Sequence, residues 1–129
     1  MDEGTAYISE ETEDEKLLHE WQNRLGLQDW YIILKTKCRP ENMAMSDVEG
    51  CTTWTESTKS AWVDILDEQF FPENAAARPY DFERTLVHEL LHCKLSILSG
   101  DDGTTQYRVA HQIIDDLARA FVDAKRRKA

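Results

Sequence analysis

The sequence of 129 residues lacks several features that mark familiar classes of protein. No apolar run approaches the roughly 18 residues that a membrane span needs. The first residues are acidic and have no apolar core, so we expect no secretory signal. The three cysteines do not form a Cys-x-x-Cys pair, which favours a reducing compartment over a disulfide framework. These absences predict a cytoplasmic protein with no membrane partner.

Positive charge is also scarce, because 15 Lys and Arg residues stand against 25 Asp and Glu residues. This balance argues against a nucleic-acid-binding protein, which needs clustered cations to contact phosphate groups. Seven of the acids fall within the first 15 residues, and residues 125–128 read Lys-Arg-Arg-Lys. The length predicts one domain. We expect an acidic flexible arm over 1–12, a single domain over 13–124, a basic tail over 125–129, and a monomer.

Capping signals and apolar spacing predict an N-terminal helix and a small sheet. Thr12 and Glu15 form a capping box, apolar residues follow at helical spacing, and Gly26 supplies a stop, which predicts a helix over 13–25. Runs rich in β-branched and aromatic residues predict strands over 30–35, 51–56 and 61–66. The last two strands are separated by four polar residues and should form a hairpin.

Two further helices are predicted in the C-terminal half. The first begins after Asp81, a good N-cap residue, and ends near Gly100. The second begins at Thr104 or Thr105 and carries apolar residues at core spacing to its end. The order of helix, small mainly antiparallel sheet and two helices predicts an α+β fold.

The residues that carry chemistry are His88-Glu89-Leu90-Leu91-His92, within the first of these helices. Histidines at positions i and i+4 lie on one helix face, so both imidazoles can reach one Zn²⁺ at roughly 2.0–2.1 Å. Glu89 follows the first histidine and can approach a water molecule without binding the metal itself. In this His-Glu-x-x-His pattern the metal lowers the pKa of the water and polarises a carbonyl, while the glutamate transfers the proton.

A catalytic zinc site usually has three protein ligands and one open position, so a third ligand is expected from the last helix. His111 is the leading candidate, and Asp115 and Asp116 are alternatives. His111 and Asp115 are four positions apart and share a helix face. Asp115 could therefore accept a hydrogen bond from the second nitrogen of a ligand histidine. These residues predict one Zn²⁺ per chain.

The sequence resembles the zincin metallopeptidases, and in particular the gluzincins and their minimal single-domain relatives in phages and prokaryotes. In that family a His-Glu-x-x-His helix is followed by a helix carrying Glu-x-x-x-Asp. Here residues 111–115 read His-Gln-Ile-Ile-Asp, with histidine in place of the family's third-ligand glutamate. The resemblance covers about residues 51–123 and implies a zincin-like α+β fold with Asp115 bracing a histidine. It also implies that an edge strand, here 61–66, pairs with extended substrate.

Further roles follow from the predicted metal site and from the family resemblance. The substrate-binding strand residues would be Ala61, Trp62, Val63 and Asp64. Tyr107 lies one turn before His111 and could stabilise a developing oxyanion, a role for which the following are unplaced alternatives: His19, Tyr80 and Arg108. Cys38 is a candidate for masking the metal in a latent form.

The function predicted from the sequence is a zinc-dependent metallopeptidase that hydrolyses peptide bonds in a protein or peptide substrate, with Glu89 as general base. A catalytically inactive zinc-binding interaction or regulatory domain is the first alternative. A SprT-like protease that acts at DNA is the second, and residues 125–128 are its only local support.

Overall fold

Three helices and a three-stranded sheet make up the part of the chain that the computed structural model describes, residues 11–45, 48–72, 79–98 and 103–127. This arrangement confirms the predicted α+β fold. None of these helices is long and apolar enough to cross a membrane. The elements are, in chain order, α1 (Glu13–Leu25), β1 (Tyr31–Cys38), β2 (Gly50–Thr55), β3 (Ser60–Leu66), α2 (Phe82–Lys94) and α3 (Thr105–Arg126).

Helix α1 begins and ends where its capping residues predict. The Thr12 hydroxyl accepts from the Glu15 N–H, and the Glu15 carboxylate accepts from the Thr12 N–H, so both halves of the capping box are present. Gly26 adopts a left-handed conformation with φ of 71°, which glycine reaches without strain. Of the predicted acidic arm, residues 1–10 lie outside the described residues.

The sheet is mixed, with strand order β1-β3-β2. Strands β2 and β3 form the predicted antiparallel hairpin, whereas β1 pairs with β3 in parallel. Strand β1 extends to Cys38, three residues beyond its predicted end, after a register shift between Lys35 and Cys38. Hydrophobic periodicity carries no information about strand direction or order, so the sequence pattern leaves both undetermined.

One apolar core joins the inner face of the sheet to the three helices. From β3 it receives Ala61, Val63 and Ile65, whose side chains alternate with the outward-facing Trp62. The helices contribute the largest part of this core, through the following buried side chains: Leu18 and Trp21 of α1, Leu86, Val87, Leu90 and Leu91 of α2, and Ile114, Ala118 and Val122 of α3.

The end of α2 differs from the prediction. Helix α2 ends at Lys94, and a 3₁₀ turn spans Ser96–Leu98. The prediction extended the helix too far because apolar residues three positions apart fit a 3₁₀ turn as well as an α-helix. The predicted end at Gly100 lies outside the described residues. Helix α3 begins at Thr105 as predicted and runs to Arg126.

The predicted basic tail is wrong for Lys125 and Arg126, which belong to α3. Lys125 pairs with Glu20 and Glu83, and Arg126 donates two hydrogen bonds, of 2.7 and 2.9 Å, to the carboxylate of Asp81. These ion pairs tie the end of α3 to α1 and to the start of α2. The side chains are therefore engaged within the fold instead of forming a separate basic patch. Residues 128 and 129 lie outside the described residues.

Candidate metal centre

Helix α2 presents the His-Glu-x-x-His residues from a rigid base. Asp81 caps its first turn by accepting from the Arg84 N–H, and Leu86 and Leu90 are completely buried in the core. Because the apolar face is anchored in this way, the neighbouring face carries His88 and His92 toward β2 and α3. The orientation of the motif is thus a consequence of core packing around α2.

Three histidines converge at this face. One potential ligand atom from each of His88, His92 and His111 lies within 4.8 Å of the other two, so the three could hold a single metal ion. Their ring centroids are 4.8 to 5.3 Å apart. Helix α3 brings His111 to this position because Ile114, one turn further along, is fully buried against the core.

Asp115 contacts the first histidine of the motif. Its Oδ1 atom lies 3.4 Å from Nδ1 of His88, so Nε2 is the His88 nitrogen that this contact leaves available. A carboxylate at this position favours the tautomer with hydrogen on Nδ1. Asp115 also accepts from Arg119, and Asp116 is exposed and pairs with the same arginine at 3.6 Å. The third member of the group that could hold a metal is therefore His111, and not Asp115 or Asp116.

His92 is the most buried of the three histidines. Burial, with smaller contributions from His88 and His111, lowers the pKa of His92 to about 3 and keeps its imidazole neutral, the form that binds metals. Its Nδ1 atom is buried and has no hydrogen-bond partner among the described residues. The ring instead stacks on Trp54, with centroids 6.0 Å apart and planes inclined by 18°. An orphaned buried nitrogen beside two further histidines fits a metal-binding role.

Glu89 lies beside the histidines and is held by β2. The Thr52 hydroxyl donates to Oε1 of Glu89 at 2.6 Å and also lies 3.2 Å from the Glu89 carbonyl oxygen. Burial raises the pKa of Glu89 to about 7; the Thr52 hydrogen bond opposes this shift, and the charge of Glu49 adds to it. A carboxyl group with this pKa can accept and release a proton near neutral pH.

Strand β2 contributes alternate residues to the site. Gly50, Thr52 and Trp54 share one face of the strand. Gly50 leaves room for Glu89, since a Cβ atom there would lie 3.1 Å from its Oε2. Thr52 bonds Glu89 and Trp54 stacks on His92. Sequence reasoning missed all three, although the period-2 pattern of a strand preceding the motif is a signal that could have identified them.

A cavity of about 410 Å³ opens between β2, α2 and α3 over these residues. Its wall includes the three histidines, Glu89 and Asp115, together with Tyr107, whose ring stacks on His111 at 6.1 Å. The volume falls within the range of small-molecule and substrate sites.

Other predicted candidates lie elsewhere. His19 on α1 pairs with Glu11. Tyr80 donates to the Leu66 carbonyl at 2.7 Å, and Arg108 donates to Gly103 at the start of α3.

The predicted substrate-binding strand is wrong as an edge. Strand β3 is hydrogen-bonded on both sides, to β1 and β2, so the backbone of Ala61, Trp62, Val63 and Asp64 is already paired and cannot receive an extended peptide. Ala61 and Val63 are buried in the core, and Asp64 is buried on the other face, where it accepts from the Ala44 N–H. The edge strand that borders the cavity is β2.

The structure does not bring Cys38, the candidate for masking the metal, to the three histidines. Its thiol is buried at the end of β1 and lies 3.4 Å from the Lys35 carbonyl. Cys38 lies on β1, and β3 separates β1 from β2, the strand next to the histidines.

No protein-family model, no curated protein and no solved structure matches this chain. The histidine group and its surroundings are therefore the basis on which a function can be argued.

Proposed function

We propose that this protein is a zinc-dependent metallopeptidase in which Glu89 transfers the proton. The observation that carries the proposal is that three imidazoles able to hold one metal ion lie in the same cavity as a buried glutamate. The two parts of metal-assisted hydrolysis, a ligand set and a proton acceptor, are thus adjacent.

The donor set fits zinc. Three imidazole nitrogens match the ligand type that Zn²⁺ prefers and leave a fourth position for water or substrate. His92 is held neutral, and its buried Nδ1, which has no hydrogen-bond partner among the described residues, supports a metal at this ring. The contact of Asp115 with His88 supports the same assignment, since ligand histidines usually hydrogen-bond through their second nitrogen. When bound, zinc would supply Lewis-acid polarisation of a carbonyl and activation of water.

The chain's own residues would then perform the proton transfers. Glu89, with its pKa near 7, accepts a proton from the attacking water and delivers it to the leaving amine. Thr52 holds one carboxylate oxygen by its 2.6 Å hydrogen bond, so the other oxygen is the one that can face the substrate. Tyr107 lines the cavity beside His111, and its hydroxyl would donate to the oxyanion.

A peptide is the favoured substrate because an edge strand borders the cavity. Only one side of β2 is paired with a strand in the described parts of the chain, the side against β3. An extended peptide can add to such an edge through main-chain hydrogen bonds, while its side chains occupy alternate pockets. This moves the substrate-binding role expected for β3 to β2.

Two of the four residues that support the DNA-linked alternative, Lys125 and Arg126, are engaged in ion pairs within the fold. The catalytically inactive zinc-binding domain is the alternative that the following experiment separates from an enzyme.

The test combines metal analysis with one substitution and a matched control. We expect the purified full chain to contain or take up about one zinc ion per chain, and to cleave a denatured, dye-labelled protein. Glu89→Gln should retain zinc and lose at least about 100-fold in cleavage rate. Glu41→Gln is the matched control, at an exposed position far from Glu89 in the sequence, and should behave as the wild type.

Each result has a distinct meaning. A wild-type chain that neither holds nor takes up zinc overturns the proposal. Zinc binding without cleavage of any peptide supports the inactive zinc-binding domain instead. Cleavage that is unchanged in Glu89→Gln removes Glu89 from the reaction.

A further inference from the structure

The two histidines of α2 are held in different ways. His88 faces a carboxylate, because Nδ1 lies 3.4 Å from Asp115. His92 has a different contact: its buried Nδ1 finds no hydrogen-bond partner in the described ranges and is free for a metal, while its ring stacks on Trp54. Metal-binding histidines depend on an outer contact to fix the ring plane, and losing that contact typically weakens metal binding. The stack on Trp54 is a contact that can fix the ring plane of His92.

Trp54 lies where this support is needed. Its ring is nearly parallel to the imidazole of His92, at 18°, with the ring centroids 6.0 Å apart, a separation typical of offset-stacked aromatic rings. The backbone of Trp54 is opposite Ala61 in the antiparallel ladder, and its side chain packs against the core. A large ring with two restricted torsions, fixed on a paired strand, is a rigid surface for the imidazole.

We propose that Trp54 is a positioning residue for His92, holding the plane of this imidazole as Asp115 holds that of His88. The inference rests on the proposed metal centre and adds to it a contact made by stacking. Strand β2 would then support two functional side chains of α2: Thr52 would hold Glu89, and Trp54 would hold His92.

The experiment is a Co²⁺ titration of the metal-free full chain, followed by the visible absorption of bound cobalt. We expect Trp54→Leu to weaken Co²⁺ binding about tenfold or more and to change the shape of the spectrum, since the ring plane is released. Trp54→Phe retains an aromatic face and should keep an affinity and spectrum close to those of the wild type. Trp62→Leu is the matched control, because Trp62 is 53% exposed on the outer face of the sheet.

The outcomes separate this inference from the proposed function. If the wild type binds no Co²⁺, the metal centre itself fails. If the wild type binds and Trp54→Leu has the same affinity and spectrum, the positioning role is overturned while the metal centre stands. A loss in Trp54→Phe as large as that in Trp54→Leu also overturns it, because stacking should be rescued by an aromatic ring.

Circular dichroism and urea unfolding of the metal-free variants show whether each is folded. If Trp54→Leu does not fold, Trp54→Thr takes its place, since the strand already carries threonine at positions 53 and 55. Failure of both to fold would assign Trp54 to the fold and overturn a specific role toward His92.

Discussion

Gly50 is the position where a single added methyl group should disturb both the fold and the site. A Cβ atom at Gly50 would lie 2.8 Å from Cγ2 of Thr85, 3.1 Å from Oε2 of Glu89 and 3.2 Å from Cγ of Glu89. The first of these distances is below ordinary carbon–carbon contact. The Thr85 hydroxyl donates to Glu49, so rotating the side chain to move its methyl group away would break this hydrogen bond. Gly50→Ala should therefore force β2 and α2 apart.

Two opposing effects decide the size of the change. Alanine is favoured over glycine within a regular element by about 0.5–1 kcal/mol, because it restricts the unfolded chain. Overpacking a well-filled interior costs about 1–3 kcal/mol. Since the closest contact is with the Thr85 methyl group, we expect the steric cost to prevail. The free energy of unfolding should fall by about 1–2 kcal/mol, and cleavage should fall because the Glu89 carboxylate is displaced.

Urea unfolding of the metal-free chain measures this change, and a second substitution tests its cause. Thr85→Ser deletes the methyl group in question while keeping the hydroxyl that donates to Glu49. The double variant Gly50→Ala/Thr85→Ser should recover much of the lost stability, with a coupling energy of about 0.5 kcal/mol or more. If Gly50→Ala is as stable as the wild type, or if the two substitutions are simply additive, the steric reasoning is wrong.

Two further predictions concern the hydrogen bond to the general base and an ion pair at the helix ends. Thr52→Val removes the hydroxyl that donates to Glu89 at 2.6 Å and should lower both cleavage and, by about 1–3 kcal/mol, stability in urea, whereas Thr52→Ser should retain both. Equal behaviour of the two variants would contradict a role for the hydroxyl. The Arg126 guanidinium lowers the pKa of Asp81, so this pair stabilises the protein above about pH 4, the pKa of an unfolded aspartate, and the contribution is lost as the pH falls through the lowered pKa. Arg126→Gln should thus cost about 1 kcal/mol at pH 6 and less below pH 4, and a pH-independent difference between the two proteins would exclude this explanation.

The boundaries that sequence patterns predicted best are those with local causes. The capping box at Thr12 and the left-handed Gly26 define α1 through contacts within a few residues. The hairpin of β2 and β3 also formed as predicted, across a four-residue turn. The end of α2 was less predictable, because Leu95 and Leu98 have a spacing that a 3₁₀ turn also satisfies.

In the candidate site, too, the residues related by local geometry were predictable and those brought together by packing were not. His88, Glu89 and His92 could be grouped from the sequence because four residues make about one helical turn. That His111 joins them depends on how α3 packs on α2, which its spacing from His92 suggested without determining. The edge strand was misassigned, because strand order depends on which strands pair across the core and leaves no mark in the alternation of side chains.

The sequence by itself determined the helical motif, the polarity of its face and the elements that flank it, since each follows from local backbone geometry and capping. Only the tertiary structure decided that β2 is the edge at the cavity, that Gly50, Thr52 and Trp54 serve the motif, and that Asp115 contacts His88. The physical reason is that contacts between elements depend on the packing of the whole core, whose distances no local pattern specifies.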